Sequence, residues 1–208
     1  MSKKELLYDI LKELFNISVG KAADMLSEIT KRKIILNVPN IDIFNTKDEE
    51  IKINDHLLKR LNGTLMISSI SFEEKLTGKA NLIFPIAKMR NFLNICLSEE
   101  EQFSQNDEFT DIDFDIIKEI GNIILNCIIG EIGNYLDIDL TYTLPEVKVF
   151  DNINFSNDIE NNKYILLLYI TFIIDDTEIE GAVIIDLTLN SLKELLKRID
   201  KIEDGLYE

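Results

Sequence analysis

Residues 9–17 read DILKELFNI and residues 115–123 read DIIKEIGNI. At this offset of 106 (115 − 9), Asp9, Ile10, Lys12, Glu13, Asn16 and Ile17 meet Asp115, Ile116, Lys118, Glu119, Asn122 and Ile123. Leu14 meets Ile120, an apolar match, and Pro39 falls on Pro145. After a small slip, TGKANLIF around Gly78 lies on IEGAVIID around Gly181. Each half closes on a helical pattern, IAKMRNFLNICL in the first and LNSLKELLKRI in the second. A chain that repeats its own order of elements is expected to fold as two copies of one unit. The copies span about 1–98 and 109–208, joined by the acidic linker EEEQFSQNDE, within one domain over residues 1–208.

The order expected in each half is a long helix, a strand ending near the proline, two further strands and a short helix. The first half has a helix over Lys4–Arg32, strands at Lys33–Val38, Thr64–Ser71 and Leu76–Phe84, and a helix at Ile86–Leu97. The second has a helix from near Asp113, strands at Asp139–Val149, Tyr164–Ile174 and Ile179–Asp186, and a helix at Leu189–Asp200. Strands near Gly78 and Gly181 follow closely on their predecessors, which favours hairpins and antiparallel pairing. One half alone would bury its few strands poorly. Two halves sharing one sheet about a pseudo-twofold axis solve that problem, and the duplication already mimics a dimer, so a monomer is expected. The fold class is therefore α+β, an internally duplicated domain with an antiparallel sheet and two long helices.

Several chemistries are disfavoured. Lys plus Arg number 22 against 38 Asp plus Glu, a net charge of −16, which repels phosphate backbones and anionic lipid. Nucleic acid and membrane are thus not expected partners. The opening MSKKELLYDI carries no long apolar stretch, and the run Tyr164–Ile174 is about half a membrane span, so a cytoplasmic protein is expected. The single histidine, His56, sits in polar INDHLLKR and reads as a surface residue, and Cys96 and Cys127 lie in apolar helical patterns as small core residues. No CxxC, HxH, HExxH, GxxxxGK[ST] or GxGxxG spacing is present. Asp111, Asp113 and Asp115 resemble the start of a calcium loop, but Ile116 stands where that loop needs glycine and Asn122 where it needs glutamate.

On a helix, positions i, i+4, i+7 and i+11 share one narrow stripe. Asp9, Glu13, Asn16 and Gly20 form such a stripe; Leu6, Ile10, Leu14, Ile17 and Met25 form a separate apolar face expected to pack on the sheet. In the second helix Asp115, Glu119 and Asn122 repeat the stripe, flanked by Ile116, Ile117, Ile120, Ile123 and Ile124. Isolated, a Glu-x-x-Asn on a helix is a solvated face. Here the polar trio matches in identity while core positions exchange Ile for Leu, and core positions need only apolar bulk. A capping or dipole role accounts for Asp115 near its helix start, and less well for Asp9.

The pattern Asp-x-x-x-Glu-x-x-Asn, twice on long helices with a proline following each, resembles the CheC family of chemotaxis phosphatases, related to CheX and FliY. The resemblance spans nearly the whole chain. It implies a duplicated α+β domain acting on the phosphorylated response regulator CheY. It also implies that Asn16 and Asn122 position a water in line with phosphorus, and that Glu13 and Glu119 pair with a lysine beside the regulator's phosphorylation site. Asp9 and Asp115 would support the helix or the regulator contact. No cofactor of its own is implied, since magnesium travels with the regulator. The alternative is a non-catalytic adaptor that binds a regulator or the deamidase CheD. Ser18 and Lys21 replace a glycine and an asparagine of the family's usual NIGxGNA, and Asn126 stands where the first half has Gly20.

Overall fold

The computed structural model describes residues 3–45, 61, 63–96, 109–150, 163–174 and 177–206. His56 and the linker at 99–108 lie outside the described residues. The first half contributes α1 (Lys3–Thr30), β1 (Ile34–Asn37), β2 (Ile41–Asn45), β3 (Leu65–Glu74), β4 (Gly78–Pro85) and α2 (Ile86–Cys96). The second contributes α3 (Asp111–Leu136), β5 (Leu140–Tyr142), β6 (Glu146–Phe150), β7 (Lys163–Ile174), β8 (Thr177–Thr188) and α4 (Leu189–Leu206).

The strands form one eight-stranded sheet in the order β1-β7-β8-β4-β3-β5, with β2 also on β7 and β6 also on β3, and every pairing is antiparallel. Exchanging β1 with β5, β2 with β6, β3 with β7 and β4 with β8 leaves that order unchanged. The hairpins β3–β4 and β7–β8 meet at the centre through β4 and β8, where Ala80 faces Ile185 and Leu82 faces Val183. Each hairpin is then flanked by the short strands of the other half, so neither half closes its own sheet.

Two strand expectations change. The stretch Asp139–Val149 is two strands, β5 and β6, because Pro145 lacks an N–H for the ladder and breaks the pairing with β3. The segment Ile41–Asn45, β2, was not expected; its alternation is short, and pairing with β7 supplies what local pattern does not.

The helices pack on one face of the sheet, over a core that includes Phe15, Leu26, Phe72, Ile124, Ile128, Leu168 and Phe172. The opposite face carries a smaller cluster with Phe44, Leu61, Leu65, Ile67, Ile165, Leu167 and Ile184. β7 is covered on both sides, which is why it reads as an unbroken apolar run.

The face of α1 turned to the core holds Leu11, Leu14, Phe15, Ser18, Val19, Ala22, Ala23 and Leu26. Of the apolar face expected there, Ile17 and Met25 are each 47% exposed. The helix carries two apolar arcs, and the arc that holds the small residues Ser18, Ala22 and Ala23 is the buried one. Ser18 donates back to the Leu14 carbonyl at 2.7 Å and so is satisfied in that dry position. Cys127 is partly buried and packs against the edge of the core, with its Sγ 3.8 Å from Met25 Sδ on α1.

The start of α3 is closed by Thr110 and Asp113, not by Asp115. Thr110 Oγ1 accepts from the Asp113 N–H at 3.2 Å, and Asp113 Oδ2 accepts from the Thr110 N–H at 2.8 Å, a capping box. Arg90 of α2 donates to the same Asp113 oxygen at 3.0 Å, and its guanidinium sits 3.9 Å from the Phe109 ring centre. Burial pushes the Asp113 carboxyl up, but the Thr110 N–H, the Arg90 guanidinium and the Thr110 hydroxyl outweigh it and hold the carboxyl below its ordinary value. A depressed carboxyl stabilises the fold above its unfolded pKa of about 3.9 and loses that contribution as pH falls through the folded value. Asp113→Ala is therefore expected to cost about 1–2 kcal/mol at pH 7, with the gap to the native chain closing below about pH 4. Urea unfolding from pH 7 to pH 3 checks this; a gap that widens in acid would contradict it.

Candidate functional site

α1 and α3 lie side by side and antiparallel. Lys21 Nζ meets Glu131 Oε1 at 2.5 Å, and Met25 meets Cys127, so numbers rise on one helix as they fall on the other. Residue 136 is thus level with residue 16 and stands 14 positions (136 − 122) beyond Asn122. At about 1.5 Å per residue, the two asparagines are roughly 20 Å apart along the axis.

Asp9 and Glu13 are exposed on α1, as are Asp115 and Glu119 on α3, while Asn16 and Asn122 are half-buried beside them. The stripe on α1 lies opposite the core-facing arc, so packing presents it outward. Gly20 has open space where a side chain would stand, and Ile17 is exposed next to Glu13. The counterpart of Ile17 on α3, Ile123, is buried at 7% exposure. Among the described residues, no group of three or more His, Cys, Asp or Glu side chains is arranged to hold a metal ion.

The two amides differ in what holds them. Asn16 Oδ1 accepts from the Val38 N–H at 2.9 Å, while its Nδ2 donates to the Val38 carbonyl at 3.2 Å and the Lys12 carbonyl at 2.9 Å. It laces α1 to the chain leaving β1, one residue before Pro39. Asn122 makes no such tie. The residue matching Val38 is Leu144 (38 + 106), which is 86% exposed where Val38 is 1% exposed. Asn122 Oδ1 accepts instead from Asn126 Nδ2 at 2.8 Å, one turn along α3. The sequence did not single out Asn126 as the partner of Asn122; its one signal was the mismatch with Gly20.

This contrast separates the two variants in stability. Asn16→Ala leaves the Val38 N–H buried without a partner and is expected to cost about 1–3 kcal/mol. Asn122→Ala is expected to stay within about 0.5 kcal/mol. Calorimetric midpoints of the two variants check the order, and equal losses would show that the Val38 tie carries no weight.

Beneath Asn122 the helix meets the sheet closely. A Cβ on Gly121 would come within 2.5 Å of Ser68 Cβ on β3. Only glycine lets this turn of α3 sit against the strand.

A model of the CheC-like family matches residues 8–43, which hold Asp9, Glu13, Asn16 and Pro39. The solved structure of FliY from Thermotoga maritima is similar at a TM-score of 0.71 and 18% identity, over 97% of this chain and 98% of that one. The fold is CheC-like. A chain of the FliG–FliM complex from H. pylori is similar at a TM-score of 0.60 and 15% identity, over 95% of this chain and 100% of that one. A CheC-like superfamily protein from Shewanella sp. PV-4 gives 0.51 at 8% identity, over 83% and 96%. The family model covers residues 8–43, and the solved structures share the fold over most of the chain.

Proposed function

We propose that this chain is a phosphatase that hydrolyses the aspartyl phosphate of a CheY-like response regulator in chemotaxis signalling. The observation that carries the reading is the α3 stripe, where an exposed Glu119 and the Asn122 amide stand one turn apart on a helix anchored by a large core. An aspartyl phosphate is an acyl phosphate and is labile by itself, so the phosphatase has only to place a water in line with phosphorus and hold two surfaces in register. A carboxamide both donates and accepts and can orient that water. Glu119 supplies a charge-assisted bond to a lysine on the regulator, and the net charge of −16 favours approach of a basic surface. The magnesium ion belongs to the regulator. The setting is cytoplasmic, and the chain acts as a monomer.

Asn16 and Glu13 form the second site, with Asp9 and Asp115 supporting the regulator contact on each helix. Asn16 has first to leave Val38 before its amide can reach a water, so the α3 site carries most of the turnover. The test is phosphate release from a regulator phosphorylated with acetyl phosphate, with and without this chain. Unchanged release would end the reading.

The second reading is a non-catalytic adaptor, favoured by the tied amide of Asn16 and by the likeness to a chain of the FliG–FliM complex. Its partner is a regulator or the deamidase CheD. It predicts binding that survives both Asn→Ala changes, with no phosphate released by the native chain.

A further inference from the structure

We propose that Asn126 is a positioning residue that fixes which face of the Asn122 amide meets the reacting water; this rests on the phosphatase reading above. Asn126 Nδ2 donates to Asn122 Oδ1 at 2.8 Å, and Asn126 Oδ1 is buried with no hydrogen-bond partner among the described residues. A buried, unpaired carbonyl costs roughly 1–3 kcal/mol, more than one amide pair on a helix surface returns. Stability therefore does not explain an asparagine here. At the matching position of α1 stands Gly20, in open space, and the Asn16 amide one turn before it is tied to Val38 instead.

The donated bond settles the direction of Asn122. A carboxamide can present either its oxygen or its nitrogen outward. The opposite pairing, with Asn122 donating to Asn126, would turn the Asn126 NH2 and its protons into the buried spot now filled by one carbonyl. Orphaned N–H groups are rarer in proteins than under-satisfied carbonyls. Asn126 thus holds the Asn122 oxygen along the helix. Its NH2 and one remaining lone pair are left for the outside, the donor and acceptor that a water in line with phosphorus requires. Asn16 is held by a different device, the backbone of Val38, which occupies both ends of its amide.

The experiment is done in Asn16→Ala protein, so that only the α3 site is read, with a receiver domain phosphorylated by acetyl phosphate as the probe. Asn126→Asp keeps the shape but removes the donor, so the new carboxylate draws the Asn122 NH2 inward. It is expected to lower kcat on the order of tenfold with KM within about twofold. Asn126→Ala is expected to lower kcat as well while leaving the thermal midpoint unchanged or higher, a combination that loss of structure does not produce. Native kcat in both variants, alongside lost activity in Asn122→Ala, would overturn the role of Asn126 and leave the phosphatase reading standing. Native activity in Asn122→Ala would overturn the role of Asn126 and remove water positioning from Asn122, whereas absence of any release by the native chain would end the phosphatase reading.

Discussion

Phosphate release by the Asn16→Ala, Asn122→Ala double variant is expected to fall to the regulator's own rate of autohydrolysis. In each matched Asp-Glu-Asn trio the asparagine is the group that both donates and accepts, and alanine keeps the helix while removing both functions. Misplacing an attacking group costs on the order of 100-fold, which sets the size of the loss. The single variants are expected to divide unequally. Asn122→Ala removes most of the activity, because Asn16 spends its oxygen and nitrogen on Val38. Glu119→Gln is expected to act on KM rather than kcat, since its carboxylate holds the partner and touches no reacting atom. Initial rates of phosphate release at several regulator concentrations separate these effects. A double variant with native activity would remove water positioning from both asparagines.

A loss of stability is also expected from Gly121→Ala. In an open helix this change gains about 1 kcal/mol of propensity. Here the added Cβ would lie 2.5 Å from Ser68 Cβ, so α3 and β3 have to part. Overpacking of this kind costs about 1–3 kcal/mol, and for a chain of this length each kcal/mol lowers the midpoint by about 2–4 °C. Because residue 121 adjoins Asn122, activity is expected to fall with stability. Ser68→Gly removes the obstructing atoms and is expected to relieve the clash, whereas Ser68→Ala keeps the Cβ and relieves less of it. A double-mutant cycle isolates this coupling from the cost of each single change. Additive losses for Gly121→Ala and Ser68→Gly would show that the close approach does not constrain α3.

Much of the fold was legible because periodicity survives without a partner. α1, α2, α3, α4 and the four long hairpin strands follow from apolar spacing, and the antiparallel hairpins from the short connections that precede β4 and β8. Which apolar arc of α1 turns inward was not legible. Ile17 and Met25 are as apolar as Leu11 and Val19, and tertiary packing buries the arc with Ser18, Ala22 and Ala23 and leaves the other half-exposed. Likewise Asp113 and Asp115 are equal candidates in sequence, and the positions of Thr110 and Arg90 select Asp113.

The amino-acid sequence alone determined the repeated order of elements and the types of side chain along each long helix, because both are written in local spacing and identity. The tertiary structure decided which half's strands border which hairpin, since a period of two names a face but no partner. It also decided that Asn16 is tied to Val38 while Asn122 is held by Asn126. Identical motifs acquired different hydrogen bonds because the chain returns beside one helix at Val38 and leaves Leu144 in solvent beside the other.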